Sequence, residues 1–158
     1  MTVERPQARR VAFVSTRIAG TDGVSLEIAK WAHVIEKMGV ECFYIAGESD
    51  RPADRTALIE EAHFRHPEIQ DISRRAFDSE RRSHDLTVDI ERLARVIHDK
   101  LVAAVEKHQI DVLIAQNALT IPMNLPLGVA IVQSVQEGGL ACIAHHHDFY
   151  WERPRFLV

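Results

Sequence analysis

The sequence predicts an α/β fold in which helices cover both faces of a doubly wound parallel sheet. Short, nearly continuous apolar segments recur along the chain, and such segments are typical of parallel strands that are buried on both faces. Amphipathic segments of helical period lie between them, so strands and helices alternate. The length of 158 residues, with 46% hydrophobic and 27% charged residues, is that of one ordinary globular domain.

The first strand is expected over residues 10–16, which read Arg-Val-Ala-Phe-Val-Ser-Thr. A loop containing two glycines follows and leads into a helix that ends at Gly39, a residue type favoured just after a helix. The apolar positions of this helix recur at helical spacing and are Val24, Ile28, Trp31, Ile35 and Met38. Residues 40–46 then predict the second strand.

The segment 47–85 has no clear period, because prolines and many charges interrupt it. It predicts one short helix over 55–62 and an irregular or weakly stranded excursion after it. A long amphipathic helix is expected over 87–108. Its apolar stripe consists of Ile90, Leu93, Ala94, Ile97, Leu101, Ala104 and Val105.

The last third of the chain predicts a buried strand over 111–115, a helix over 125–136 and a final core strand over 140–144. Pro126 suits the first turn of the helix, and two glycines follow its end. Cys42 and Cys142 each lie inside an apolar segment. We expect both thiols to be reduced and buried in the core.

The charge balance bears on partners and location. Nineteen Lys and Arg against 23 Asp and Glu give a net charge of -4, which disfavours nucleic acid as a partner. An arginine-rich stretch over 74–95 could touch phosphates or an anionic membrane surface, but interspersed acidic residues favour a solvated face. The start shows no hydrophobic signal core, and no apolar run approaches the roughly 18 residues of a membrane helix. We expect a cytoplasmic protein.

Ligands of open parallel sheets bind beyond the carboxyl ends of the strands, and three loops there have unusual sequences. These loops are 17–23, 116–123 and 145–156. In the first, Gly20 and Gly23 precede a helix N-terminus, where backbone N–H groups and the helix dipole favour a phosphate. An equally supported alternative is that Asp22 or Gly23 simply caps the helix. The sequence has neither a Gly-x-Gly-x-x-Gly fingerprint nor a P-loop.

Three histidines and an aspartate, His145 to Asp148, stand at the end of the last strand. Histidine can bind sugar hydroxyls, act as an acid or base near neutral pH, or ligate a metal. Successive residues of an extended chain point to alternating sides, so a three-histidine zinc site would need an unusual turn, and we expect no metal. A metal-dependent hydrolase built on this segment is kept as an alternative.

Polar residues of the two later loops are further candidates. Asn124 is expected to cap the helix that follows it, whereas Asn117 comes directly after a buried strand and is the better candidate for ligand contact. His146, Asp148 and Arg155 are further candidates for contact with a ligand.

In these segments the sequence resembles the N-terminal domain of family 4 glycosyltransferases with the GT-B fold, over essentially the whole chain. The strand 10–16 with its glycine loop, the helix and strand that end in 39–45, and the strand that leads to His147-Asp148 carry the resemblance. It implies that residues 1–158 are the Rossmann-like, acceptor-side half of a two-domain enzyme, cut off before the donor-binding domain.

The resemblance also implies partners and roles. The partners are a nucleotide-diphosphate sugar, which is a substrate rather than a cofactor, an acceptor that is a sugar, lipid or small molecule, and a C-terminal donor-binding domain in cis or in trans. Gly20, Asp22 and Gly23 would approach the donor phosphates or sugar. The residues that would contact the acceptor or a sugar are Asn117, His146, Asp148 and Arg155. His147 would bind the transferring sugar or stabilise developing charge in a retaining, metal-independent reaction. Alone, the chain is expected to be inactive. The alternative is a noncatalytic Rossmann-like binding or interaction module.

Overall fold

The computed structural model describes residues 8–78 and 81–157. Most of the first ten residues, for which the sequence predicts no signal peptide, therefore lie outside the described residues. Within them, the strands are β1 (Arg10–Ser15), β2 (Glu41–Ala46), β3 (Thr56–Leu58), β4 (Val112–Gln116) and β5 (Ala141–His145). The α-helices are α1 (Gly23–Lys37), α2 (Pro67–Phe77), α3 (His84–His108) and α4 (Leu125–Gly138). Short 3-10 helices lie at 53–55, 60–62, 150–152 and 154–156.

All five strands are parallel and lie in the order β3-β2-β1-β4-β5. The α/β, Rossmann-like fold predicted from the sequence is thereby confirmed. The central strand is β1, with Val14 opposite Ile45 of β2 on one side and Ala115 of β4 on the other. The strand order reverses between β1 and β4, and this switch point is where a sheet of this kind opens a crevice.

Helices cover both faces of the sheet. Val11 and Phe13 of β1 pack in a cluster with α1, whereas Ala12 and Val14 pack on the opposite face with α3 and α4. Because successive side chains of a strand point to opposite faces, a strand covered on both sides has to be apolar throughout. This is the physical reason why β1 was visible in the sequence as a continuous apolar segment.

The prediction for the segment after β2 was wrong. Instead of a helix over 55–62, the chain forms the edge strand β3 and then a 3-10 turn at Glu60–Ala62. The helix α2 was missed altogether. It buries Ile69 and Ile72, with Ala76 packed beside them; this helical spacing is present in the sequence, but it is short and surrounded by polar and charged residues.

The final strand is correctly located, but its predicted burial was wrong. Among the described residues β5 is an edge strand with a neighbouring strand on one side only, and Ile143 is 48% exposed. Cys142 is accordingly half-buried, whereas Cys42 is buried and burial raises the pKa of its thiol to about 12. Between α1 and β5 an apolar groove of about 650 Å³ remains, which we call the α1–β5 groove. Its lining includes Trp31, Val34, Met38 and Ile143.

No helix among the described residues combines the length and the apolar character needed to cross a membrane.

Candidate ligand-binding site

A cavity of about 220 Å³ lies at the carboxyl ends of β1 and β4, and we call it the switch-point cavity. Its walls include Ser15 at the end of β1, Asp22 at the start of α1, and Gln116 and Asn117 at the end of β4. Ligands of open parallel sheets bind at this position. Residues from two of the three loops that the sequence singled out therefore meet at one cavity.

Asp22 caps helix α1, as one of the two interpretations of the glycine loop predicted. Its Oδ1 accepts from the Ser25 backbone N–H at 3.0 Å, and its Oδ2 lies 2.8 Å from the Ser25 hydroxyl and 2.9 Å from Arg17 Nη1. Burial acts to raise the pKa of Asp22, but these partners outweigh it and lower the pKa below its ordinary value. The helix N-terminus therefore already holds a carboxylate, the kind of anion that such ends stabilise.

The glycines of this loop occupy different positions. Gly20 has a φ of +74°, a conformation that favours glycine, and its N–H donates to Asp50 Oδ2 at 2.7 Å. Gly23 is the first residue of α1. Of these two amides, that of Gly20 is already satisfied by a carboxylate of the protein itself.

Asn117 joins the loop after β4 to the loop after β5. Its Nδ2 donates to Asp148 Oδ1 at 2.7 Å, and its Oδ1 accepts from the His147 backbone N–H at 3.2 Å. Asp148 also forms an ion pair with Arg153. Burial acts to raise the pKa of Asp148, but the hydrogen bonds from Arg153 and Asn117 outweigh it and lower the pKa. Asn117 and Asp148, predicted separately, are thus partners in one network.

The ring of His147 reaches the wall of the switch-point cavity through Gln116. His147 Nε2 lies 2.9 Å from Gln116 Oε1, so the neutral tautomer that donates here leaves Nδ1 as an acceptor. Gln116 is fully buried, and its Nε2 has no hydrogen-bond partner among the described residues. A buried donor without a partner costs about 1–3 kcal/mol, so a ligand hydroxyl that accepts from it would be stabilised.

The other two histidines lie on opposite sides of the chain, as the alternation of an extended strand predicts. The ring of His145 packs between Trp31, at 4.5 Å, and His147, at 4.7 Å, measured between ring centroids. Burial, together with the neighbouring His147, lowers the pKa of His145. His146 turns instead toward Phe149, with ring centroids 5.9 Å apart. Within the described residues no three His, Cys, Asp or Glu side chains gather as a metal-ligand set.

Arg155 lies apart from this network. Its guanidinium stands over the ring of Phe156, 4.4 Å from the centroid, and lines a second cavity of about 490 Å³. The second cavity and the switch-point cavity are neighbours, because Phe64 and Met123 line both.

Several residues around these cavities were missed. Gln116 could have been found, since it is the polar end of the apolar run Val-Leu-Ile-Ala-Gln. Ser25 also had a signal, because it stands three residues after Asp22, the spacing of a capping contact. No sequence feature indicated Phe64 and Arg65, because they lie in the segment 47–85, which has no clear hydrophobic period.

The fold and the cavity define a class: a Rossmann-like α/β domain whose switch point holds a crevice lined by both polar and apolar side chains. No protein-family model matches the chain, and no solved structure matches it significantly. Two curated relatives do match, both called mannosylglucosylglycerate synthase. The protein from Petrotoga mobilis is 29% identical over 149 residues, which is 90% of this chain and 33% of the relative. The protein from Thermotoga maritima is 28% identical over 155 residues, which is 94% of this chain and 34% of the relative.

Both relatives are glycosyltransferases. The chain spans about a third of the length of the curated relatives it matches. The similarity therefore concerns one part of each relative.

Proposed function

We propose that this chain is the N-terminal, acceptor-side half of a cytoplasmic glycosyltransferase of the GT-B type. The reaction transfers a sugar from a nucleotide-diphosphate sugar to an acceptor hydroxyl with retention of configuration. The observation that carries the proposal is the His147–Gln116 pair, whose buried amide lacks a partner among the described residues beside a cavity at the switch point. The similarity to two glycosyltransferases over at least 90% of this chain supports it.

The names of the relatives suggest the substrates. We propose that the sugar transferred is mannose and that the acceptor is a glucoside of glycerate, since both relatives are named for the synthesis of mannosylglucosylglycerate. The nucleotide-sugar is a substrate, and no metal or other cofactor takes part.

The size of the switch-point cavity supports a half-site. Its volume of about 220 Å³ lies below the roughly 300–1,000 Å³ of ordinary small-molecule pockets. A cavity of this size would take a single sugar ring or part of one. The rest of a nucleotide-sugar would bind a C-terminal donor-binding domain, supplied in cis or in trans, and this chain alone would not turn over substrate.

Each side chain of the site has a role in this proposal. Gln116 orients His147 and donates its free amide to a hydroxyl of the sugar. His147 accepts from the sugar through Nδ1 or stabilises charge that develops as the glycosidic bond breaks. Asn117 fixes the segment that carries His147, and the loop from Gly20 to Gly23 approaches the donor.

A noncatalytic binding module is the second candidate, and one observation favours it. The carboxylates of Asp22 and Asp50 already hold the Ser25 and Gly20 amides of the loop. The N–H groups of Gly20 and Ser25 are therefore already hydrogen-bonded without a phosphate.

Sugar transfer by the complete protein with His147→Ala tests the proposal. We expect turnover to fall by about 10²–10³-fold, the usual loss when one group that stabilises transition-state charge is removed. His33→Ala is the matched control, because His33 is exposed on α1, and it should retain full activity. Unchanged turnover by His147→Ala would contradict the role of His147. The absence of sugar transfer by the wild-type complete protein with any nucleotide-sugar would remove the proposed function itself.

A further inference from the structure

We propose that the cavity beside the switch-point cavity binds an anionic group of the acceptor, a carboxylate or a phosphate. We call it the arginine cavity, and its walls include Phe64, Arg65, Ser73, Arg74, Arg155 and Phe156. The inference rests on the proposed function, since it assigns the acceptor class of that same site.

Four separate segments build the arginine cavity, and one of them is the loop after β4, which contributes Met123. The connection between β3 and α2 contributes Phe64 and Arg65, the helix α2 contributes Ser73, and the C-terminal segment contributes Arg155 and Phe156. Phe156 is 5% exposed and packs edge-on against Phe77 of α2, with ring centroids 4.9 Å apart. The cavity therefore has an aromatic wall that is packed against α2, whereas its three arginines are exposed.

The charges on its walls are mainly positive. Three arginines line the cavity against one carboxylate, that of Asp78. Arg74 forms an ion pair with Asp71, whereas Arg65 and Arg155 form no ion pair with any described residue. A positive cavity on a chain of net charge -4 selects for an anionic ligand.

Two of the guanidinium groups are positioned by aromatic rings. Arg65 lies over Phe64 at 5.4 Å and Arg155 over Phe156 at 4.4 Å, measured from guanidinium carbon to ring centroid. A cation–π contact uses none of the guanidinium N–H groups, so its N–H edge stays able to donate to a ligand, and both arginines are exposed. Such an edge matches the two oxygens of a carboxylate or phosphate, which it can bind through paired hydrogen bonds.

The neighbouring cavity explains why this ligand would be the acceptor. Because Phe64 and Met123 line both cavities, one molecule could extend across them. Its anionic group would lie among the arginines, and its reactive hydroxyl would enter the switch-point cavity near Gln116 and His147. A glycerate glucoside carries a carboxylate of this kind, separated from its sugar hydroxyls by the length of the molecule.

Binding of defined compounds to this chain, followed by heteronuclear NMR, tests the inference. The compounds are glucosylglycerate, its neutral analogue glucosylglycerol, glucose 6-phosphate and the nucleotide GDP. We expect glucosylglycerate or glucose 6-phosphate to bind at least about tenfold more tightly than glucosylglycerol, the change that one charge-assisted hydrogen bond gives. The tighter of the two identifies the anion as carboxylate or phosphate.

Variants locate the binding. Arg65→Gln combined with Arg155→Gln should abolish the preference for the anionic compounds, whereas Arg95→Gln, on an exposed position of α3, should leave it unchanged. Equal binding of charged and neutral compounds, unchanged preference in the double variant, or no binding at millimolar concentration would each overturn the inference. GDP binding that needs these arginines, without binding of the glycosides, would assign the cavity to the donor and overturn it as well.

The two proposals can fail separately. Loss of anion binding would leave sugar transfer by the complete protein standing, whereas a complete protein without transferase activity would remove the proposed function even if this chain binds anions.

Discussion

Asn117 combines a backbone role with a side-chain role. Its φ of +58° lies in the left-handed region, which asparagine tolerates better than most residues other than glycine. In that conformation its amide reaches both Asp148 and the backbone of His147. Asn117 thus contributes two of the contacts that hold the His147 segment, beside the contact of His147 with Gln116 and that of Asp148 with Arg153.

Replacement of Asn117 separates these roles. We expect Asn117→Ala to lower the free energy of unfolding by about 3–5 kcal/mol, because the three side-chain hydrogen bonds with Asp148, His147 and Thr120, of about 0.5–1.5 kcal/mol each, are lost and alanine is strained by about 1–2 kcal/mol at positive φ. Asn117→Gly removes only the hydrogen bonds and should lie between Asn117→Ala and the wild type. Urea unfolding measures both. A glycine variant as stable as the wild type would mean that the bonds to Asp148 and His147 contribute no stability.

Residue-level prediction succeeded where the signal was local. Asn124 caps its helix as expected, and Asp22 caps α1 as one of the two interpretations of its loop predicted; each contact spans three residues of the chain. The role of Gln116 could not be derived in the same way. Its pairing with His147 joins residues 31 positions apart and exists only because β4 and β5 are neighbours.

At the scale of elements, the strength of an apolar pattern decided what could be predicted. The strands β1, β2 and β4 and the helices α1, α3 and α4 each bury a full stripe or a continuous segment, and all lie close to their predicted positions. β3 has three residues and is defined by its pairing with β2. A segment this short carries no sequence pattern that predicts a strand. α2 docks mainly through Ile69 and Ile72, while Phe77 packs against Phe156 near the end of the chain, a contact between residues far apart in sequence.

The docking of α2 can be tested through Ile72. This side chain is 2% exposed and packs with Ile69, Leu86 and Ile90, so Ile72→Ala should destabilise the protein by about 2–5 kcal/mol. Gln70→Ala, an exposed change on the same helix, should stay within about 0.5 kcal/mol of the wild type. Thermal and chemical unfolding give both values. A loss no larger for Ile72→Ala than for Gln70→Ala would show that α2 is not held by this cluster.

At the scale of the whole molecule, the sheet is covered unevenly. Within the described residues, α3 and α4 pack on one face, while α1 is the helix that packs on the other. Three apolar residues that line the α1–β5 groove are exposed to solvent: Val34 is 56% exposed, Met38 71% and Ile143 48%. An unpaired strand edge beside exposed apolar side chains favours association between molecules.

A charge at the groove should suppress this association. We expect the wild-type chain to self-associate as its concentration rises and Ile143→Lys to remain monomeric, because a lysine on an edge strand opposes further pairing. Val88→Lys, at a 46% exposed valine of α3, is the control and should behave as the wild type. Sedimentation velocity measures the outcome. Identical association of Ile143→Lys and the wild type would exclude this edge as its cause.

The central position of β1 also has a consequence for the order of folding. Asp111 accepts from the backbone N–H groups of Arg9 and Arg10, and Ser15 donates its hydroxyl proton to the Gln116 carbonyl, contacts that span 101 or 102 residues. Contacts so distant in sequence form slowly, because the entropy of a long loop has to be lost first. During refolding, β1 and β2 can pair early, because they are close in sequence. The crevice between β1 and β4 forms only when these two strands, about 100 residues apart, have paired. Ligand binding would therefore be recovered in the slowest phase of refolding, after most helical structure has returned.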